Sequence, residues 1–156
     1  MPPNFLSHAE LDAVIGLAPL VAINLIIRNA RSEVLLGLRT NEPAKDRYFV
    51  PGRMITKNER LAEASARIVK NETRRAAKFE DARLLGVFEH FYDNNRSGKA
   101  GYGTHYVVLG YQLEWRRSPT TNTASCAGGP SPNWHRTACT KIPSLFSGWS
   151  AVLKPR

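Results

Sequence analysis

The stretch from Tyr48 to Thr73 reads YFVPGRMITKNERLAEASARIVKNET, and the placing of its charges among its apolar residues decides how the rest of the chain is understood. Tyr48-Phe49-Val50 is apolar, Pro51-Gly52 punctuates the chain sharply, and Asn58 stands where it can cap a helix from about Glu59 to Thr73. Leu61, Ala64, Ser65, Ile68 and Val69 recur at helical spacing and fall on one arc of the helix. Glu72 falls in the middle of that arc, where a core side chain is expected. A carboxylate there is costly unless it is paired or bound to a cation, and the negative end of the helix dipole makes it less welcome still. Either the helix ends early and Glu72 turns to solvent, or Glu72 is turned inward to hold a positive charge.

On the N-terminal side, Ser7 to Gly16 reads as a short amphipathic helix, with Ser7 and Glu10 spaced as a capping box. Leu20 to Arg28 is rich in Val, Ile and Leu and reads as a buried strand. Asn29 to Ser32 is a turn, Glu33 to Arg39 returns as a second strand, and Thr40 to Arg47 is a polar loop. On the C-terminal side, Leu84 to Tyr92 and Thr104 to Trp115 read as two further strands around a polar, glycine-rich loop, Asp93 to Gly103. Strands with helices before and between them make an α/β domain with a mixed sheet.

After Trp115 the composition changes. Residues 1–114 contain 16 basic and 13 acidic side chains, a net +3, while residues 115–156 contain six basic side chains and no acid, which supplies the rest of the +9. Ser118 to Thr140 is rich in Ser, Thr, Pro and Gly and has no hydrophobic period. Residues 1–116 are therefore expected to form the domain and 117–156 a loosely ordered tail. The basic excess is scattered and carries no aromatic-interleaved stripe, so it does not make the footprint of a nucleic-acid binder. Cys126, Cys139 and His135 match no usual zinc spacing and read as incidental. The longest apolar run, Leu17 to Ile27, is broken by Pro19 and Asn24 and is too short to span a bilayer. Met1 to Ala9 lacks the pattern of a secretion signal, and the expected address is cytoplasmic.

Gly52, Glu59, Arg67 and Glu72 fall at the positions of the glycine, first glutamate, arginine and last glutamate of a Nudix box. The box is reduced, with Ile68 and Asn71 where other members carry further glutamates. Together with Leu36-Gly37-Leu38-Arg39-Thr40-Asn41, Lys57-Asn58-Glu59-Arg60-Leu61, Gly86 to Asn95 and Thr104 to Gly110, the chain resembles the GDP-mannose mannosyl hydrolases of the Nudix superfamily over about its first 115 residues. The resemblance implies a Nudix α/β/α sandwich, a homodimer, and Mg²⁺-dependent hydrolysis of GDP-mannose, or of GDP-glucose, to GDP and the free sugar by inverting attack at the anomeric carbon; Mn²⁺ is the alternative cation. It implies Gly52, through its carbonyl, and Glu72 as metal ligands. Arg39 would bind the nucleotide phosphates, and Phe5, Leu6 and Leu11 would contact the nucleotide. In the catalytic set, His90 and Tyr106 would stabilise the leaving diphosphate and Arg67 would support the box.

The chain departs from the family at four places. Arg53 replaces the second glycine of the box, which predicts a blocked approach to the metal or a strained φ. Arg74 replaces the glycine that ends the helix, and Asn24 stands at an aspartate position. No Gln-His pair, the family's further metal ligand and general base, is legible in residues 116–156. Read one base out of register with permissible synonymous codons, Pro119 to Gly129 yields Asp-Asp-Gln-His followed by Arg-Trp-Trp, and Ala138 to Pro143 yields Val-His-Glu-Asn-Thr. Both resemble the missing segments, which points to a frameshift near residues 113–118, testable by translating the encoding DNA in three frames. Two other readings stand beside the hydrolase: a Nudix pyrophosphohydrolase that cleaves at phosphorus, and a catalytically impaired relic.

Overall fold

The computed structural model describes residues 6–73 and 78–114, and the backbone of 134–140. Helix α1 (His8–Leu17) opens the described chain, and the capping box expected from Ser7 and Glu10 is formed. Glu10 N donates to Ser7 Oγ at 3.3 Å, and Ser7 N donates to Glu10 Oε2 at 2.8 Å. Strand β1 (Leu20–Arg28) has the bounds read from the sequence, and β2 (Val34–Arg39) follows through a turn in which Asn29 Oδ1 accepts from Arg31 N and Glu33 N. Then come β3 (Tyr48–Phe49), β4 (Gly52–Met54), α2 (Leu61–Thr73), a single 3₁₀ turn at Phe79–Asp81, β5 (Arg83–Tyr92) and β6 (Thr104–Glu114).

The sheet runs β3-β2-β1-β6-β5. β1 is parallel to β6 from Leu20↔Tyr106 to Arg28↔Glu114, and β5 is antiparallel to β6. The short β4 pairs antiparallel with β1 through Ala22↔Met54, Ile23↔Arg53 and Asn24↔Gly52. This is the mixed sheet expected. Successive residues of β1 serve opposite faces. Ile23, Leu25 and Ile27 pack with Ala64, Ile68 and Val69 of α2, whereas Leu20, Ala22 and Asn24 face a cavity that Leu11 and Ile15 of α1 also line. The helices therefore cover the two faces of an α/β/α sandwich. Among the described residues, no helix is long and apolar enough to cross a membrane.

Two expectations need correction. Helix α2 begins at Leu61, not Glu59, because Asn58 adopts a left-handed φ of 67° and cannot serve as an extended N-cap. Arg60 N instead donates to Glu63 Oε2 at 2.9 Å. The loose tail expected from residue 117 does not hold for 134–140, which form β7 (Trp134–Thr140), antiparallel to β2 from Val34↔Thr140 to Arg39↔Trp134. Backbone pairing along β2 offsets the ordering entropy that composition alone could not. Phe5, Arg74, Cys126 and the rest of the tail, including most of the out-of-register segment, lie outside the described residues.

Candidate active site

A cavity of about 340 Å³ opens between α1, β1, the loops after β2 and β5, and the end of α2. Of the residues singled out from sequence, Leu6, Leu11, Arg39, Gly52, Arg67, Glu72, His90 and Tyr106 all line it, drawn from six separate parts of the fold. Phe5 is outside the described residues.

Glu72 is turned inward. Its side chain is 2% exposed, on the same arc of α2 as the buried Ala64, Ser65, Ile68 and Val69. Arg53 reaches across from β4, with its Nε 3.4 Å from Glu72 Oε1 and its own side chain 41% exposed. The strain expected at Arg53 is absent: the residue sits in strand backbone and outside the left-handed region. Gly52 lies directly against Asn24. A Cβ there would collide with Asn24 Oδ1 and come within 2.9 Å of Ile23 O, so only glycine lets these two strands approach as they do. Asn24 is buried, and its Nδ2 has no hydrogen-bond partner among the described residues.

The neighbouring carboxylate has a different employment. Glu59 accepts from Arg67 Nε at 2.6 Å and from Arg67 Nη2 at 2.7 Å, and its Oε2 also accepts from Thr56 N and Thr56 Oγ1. Chiefly through Arg67, its pKa is lowered to about 2. Arg67 Nη2 donates in addition to Met54 O at 3.1 Å. The pair therefore ties the pre-helix loop, α2 and β4 into one rigid unit, and Arg67 acts on the cavity through that unit.

The opposite wall is cationic and phenolic. Arg39 Nε donates to Pro43 O at 3.0 Å, and its guanidinium lies 5.8 Å from the Phe49 ring centroid. The tether uses one nitrogen and leaves the terminal pair of the fork for an anion. Tyr92 and Tyr106 pack edge to face, 6.2 Å between centroids, and burial raises both phenols, so each stays protonated and can donate. Burial also lowers the pKa of His90 and favours its neutral imidazole.

Arg96, Tyr92 and Asn41 line the cavity although sequence reasoning passed over them. Arg96 comes from the glycine-rich loop, and only the fold shows that this loop is built rather than slack. Asn95, 1% exposed, donates to Lys99 O and Tyr102 O and accepts from Ser97 N and Lys99 N. Asp12 of α1 meets Lys99 Nζ at 2.8 Å and also accepts from Ser97 Oγ, which fastens α1 to that loop. Glu42 Oε2 accepts from Asn94 Nδ2 at 2.9 Å and bridges the two loops at the cavity mouth.

Among the described residues no three of His, Cys, Asp and Glu converge as a closed metal cage. What the cavity offers a cation is one inward carboxylate and the Gly52 backbone; the partnerless Nδ2 of Asn24 beside them is a hydrogen-bond donor and suits a water or substrate oxygen. The carboxylate and the backbone carbonyl fit Mg²⁺, which keeps several waters and takes one or two carboxylates together with substrate phosphates.

A model of the NUDIX domain family matches residues 18–136. Low-salt glycan biosynthesis protein Agl8 of Haloferax volcanii is 40% identical over 113 residues, 72% of this chain and 69% of that protein. A MutT NUDIX hydrolase from Burkholderia pseudomallei is similar in structure with a TM-score of 0.59, at 21% identity, over 81% of this chain and 88% of that one. A MutT/nudix family protein from Enterococcus faecalis gives 0.58 at 17% identity over 87% of this chain, which spans 56% of that protein. The NUDIX domain of Shewanella oneidensis NrtR, complexed with ADP ribose, gives 0.53 at 16% identity, covering 86% and 82%. At these identities the structural likeness speaks to the fold alone.

Proposed function

The chain belongs to the NUDIX family, and from that premise we propose that it hydrolyses GDP-mannose in the presence of Mg²⁺ to GDP and the free sugar, by substitution at the anomeric carbon. The observation that carries the reading is the inward carboxylate of Glu72, buried beside the cavity that Arg39 faces from the other side. A divalent cation held by Glu72 and the Gly52 carbonyl would supply charge neutralisation for the departing diphosphate.

The chain's own groups bind and orient the substrate and stabilise the leaving diphosphate. Arg39, fixed by Pro43 O, presents its free fork nitrogens to phosphate oxygens. Tyr106 and His90 donate to the same diphosphate, the phenol because burial keeps its proton and the neutral imidazole through one ring N–H. Leu6, Leu11 and Ile15 form an apolar wall against which a nucleoside can lie. Arg67 holds β4 and α2 in place. The family likeness on which the substrate rests also supports a homodimer. A sugar-bearing substrate agrees with the name of the Agl8 relative.

Incubation with GDP-mannose and Mg²⁺, followed by anomer-resolved NMR, tests this. GDP and mannose with inverted configuration are the expected products. GMP and mannose-1-phosphate would move the cleavage to phosphorus, the alternative within the family. No turnover together with no heat on calorimetric titration of the substrate would leave a relic.

A further inference from the structure

We infer that Arg53 is a resident counter-cation for Glu72, one that a divalent cation must displace to reach its carboxylate. The inference rests on the reading of Glu72 as the cation's ligand and adds a property of this chain to it. A carboxylate with a 2% exposed side chain needs a positive neighbour. The side chain of residue 53 brings one: it leaves β4 beside Gly52, lines the same cavity, and brings Nε to 3.4 Å from Oε1. The Arg53 side chain is 41% exposed and can withdraw toward solvent or toward a bound anion. Arg67 is not free to take this part. Its guanidinium is committed to Glu59 at 2.6 and 2.7 Å and to Met54 O. A guanidinium and a divalent cation at one carboxylate repel each other, so the presence of Arg53 lowers the affinity of Glu72 for the cation.

The test is titration of the full chain with Mn²⁺, reading the free aquo ion by electron paramagnetic resonance, without nucleotide. The variants are Arg53→Met, which keeps the stem and removes the charge, Arg53→Ala, and Arg53→Lys. Met and Ala are expected to bind Mn²⁺ at least about tenfold more tightly than the unaltered chain, Lys to stay near it, and addition of Glu72→Gln to Arg53→Met to abolish the gain. In the unaltered chain the Arg53 Nε resonance should shift along a Mg²⁺ titration, which keeps the inference open to refutation even if a variant folds poorly. Equal affinities in all four chains, with Glu72→Gln weakening each, would overturn the role of Arg53 and leave Glu72 as ligand. If Glu72→Gln changes binding in none, both readings fall.

Discussion

At the scale of single residues, the position of Glu72 was legible because one wheel showed a charge on an apolar arc, and burial of that arc carried the carboxylate inward. Its partner was not legible. Arg53 appeared in sequence only as an obstacle to a metal, since the crossing from β4 to α2 exists only once the strand is seated on β1. Arg39 makes the first prediction. Arg39→Ala should lower kcat/KM for the nucleotide sugar about 10–100-fold, the range of a charge-assisted contact to phosphate. Arg39→Lys should recover little, because an ammonium cannot hold Pro43 O and a phosphate with one fork; full activity in Arg39→Lys would remove the fork argument. Glu59 makes the second. Its folded pKa of about 2 lies below the ordinary 4.5, so its contribution is complete above about pH 4.5 and is lost as pH falls through about 2. The shift corresponds to roughly 3 kcal/mol. Urea unfolding of the chain and of Glu59→Gln should differ by about that much at neutral pH and converge near pH 2, whereas parallel curves between pH 5 and 2 would show that the pair with Arg67 contributes no stability.

At the scale of elements, hydrophobic period and capping chemistry located α1, β1, β2, β5 and β6 within a residue or so, because each carries its own local signal. The misplaced start of α2 has a local cause as well: Asn58 turns left-handed, and Glu59 turns back to Thr56 instead of entering the helix. The loop from Asp93 to Gly103 is the element that sequence undervalued, since polar and glycine-rich composition describes a slack loop and a built one equally well. Here the difference is Asn95 and its four hydrogen bonds. Asn95→Ala should cost about 2 kcal/mol and speed amide exchange over residues 96–103 and the start of α1, which Asp12 ties to Lys99, with β1 and β6 unaffected. Exchange rising equally in β1 would mean that the loop opens only with the global folding unit and not as a separate element.

At the scale of the molecule, the open question is where the folded unit ends. Composition placed the boundary at residue 116, because the following segment has no acid and no period, but β-pairing needs neither when a neighbour offers a free edge. The backbone of β7 pairs with β2 along Val34 to Arg39, beside the strand that carries Arg39, and the family match itself runs to residue 136. A chain ending at residue 116 would leave β2 with unpaired N–H and C=O groups, and such an edge recruits other chains. Thermal unfolding of the 1–116 chain should therefore show a Tm lower by roughly 10 °C, corresponding to about 2 kcal/mol. Light scattering should show association that grows with concentration. A truncated chain ending at residue 140 should restore both. If 1–116 unfolds at the same temperature as the whole chain and stays monodisperse, β7 contributes nothing to the domain, and the support it lends to Arg39 through β2 goes with it.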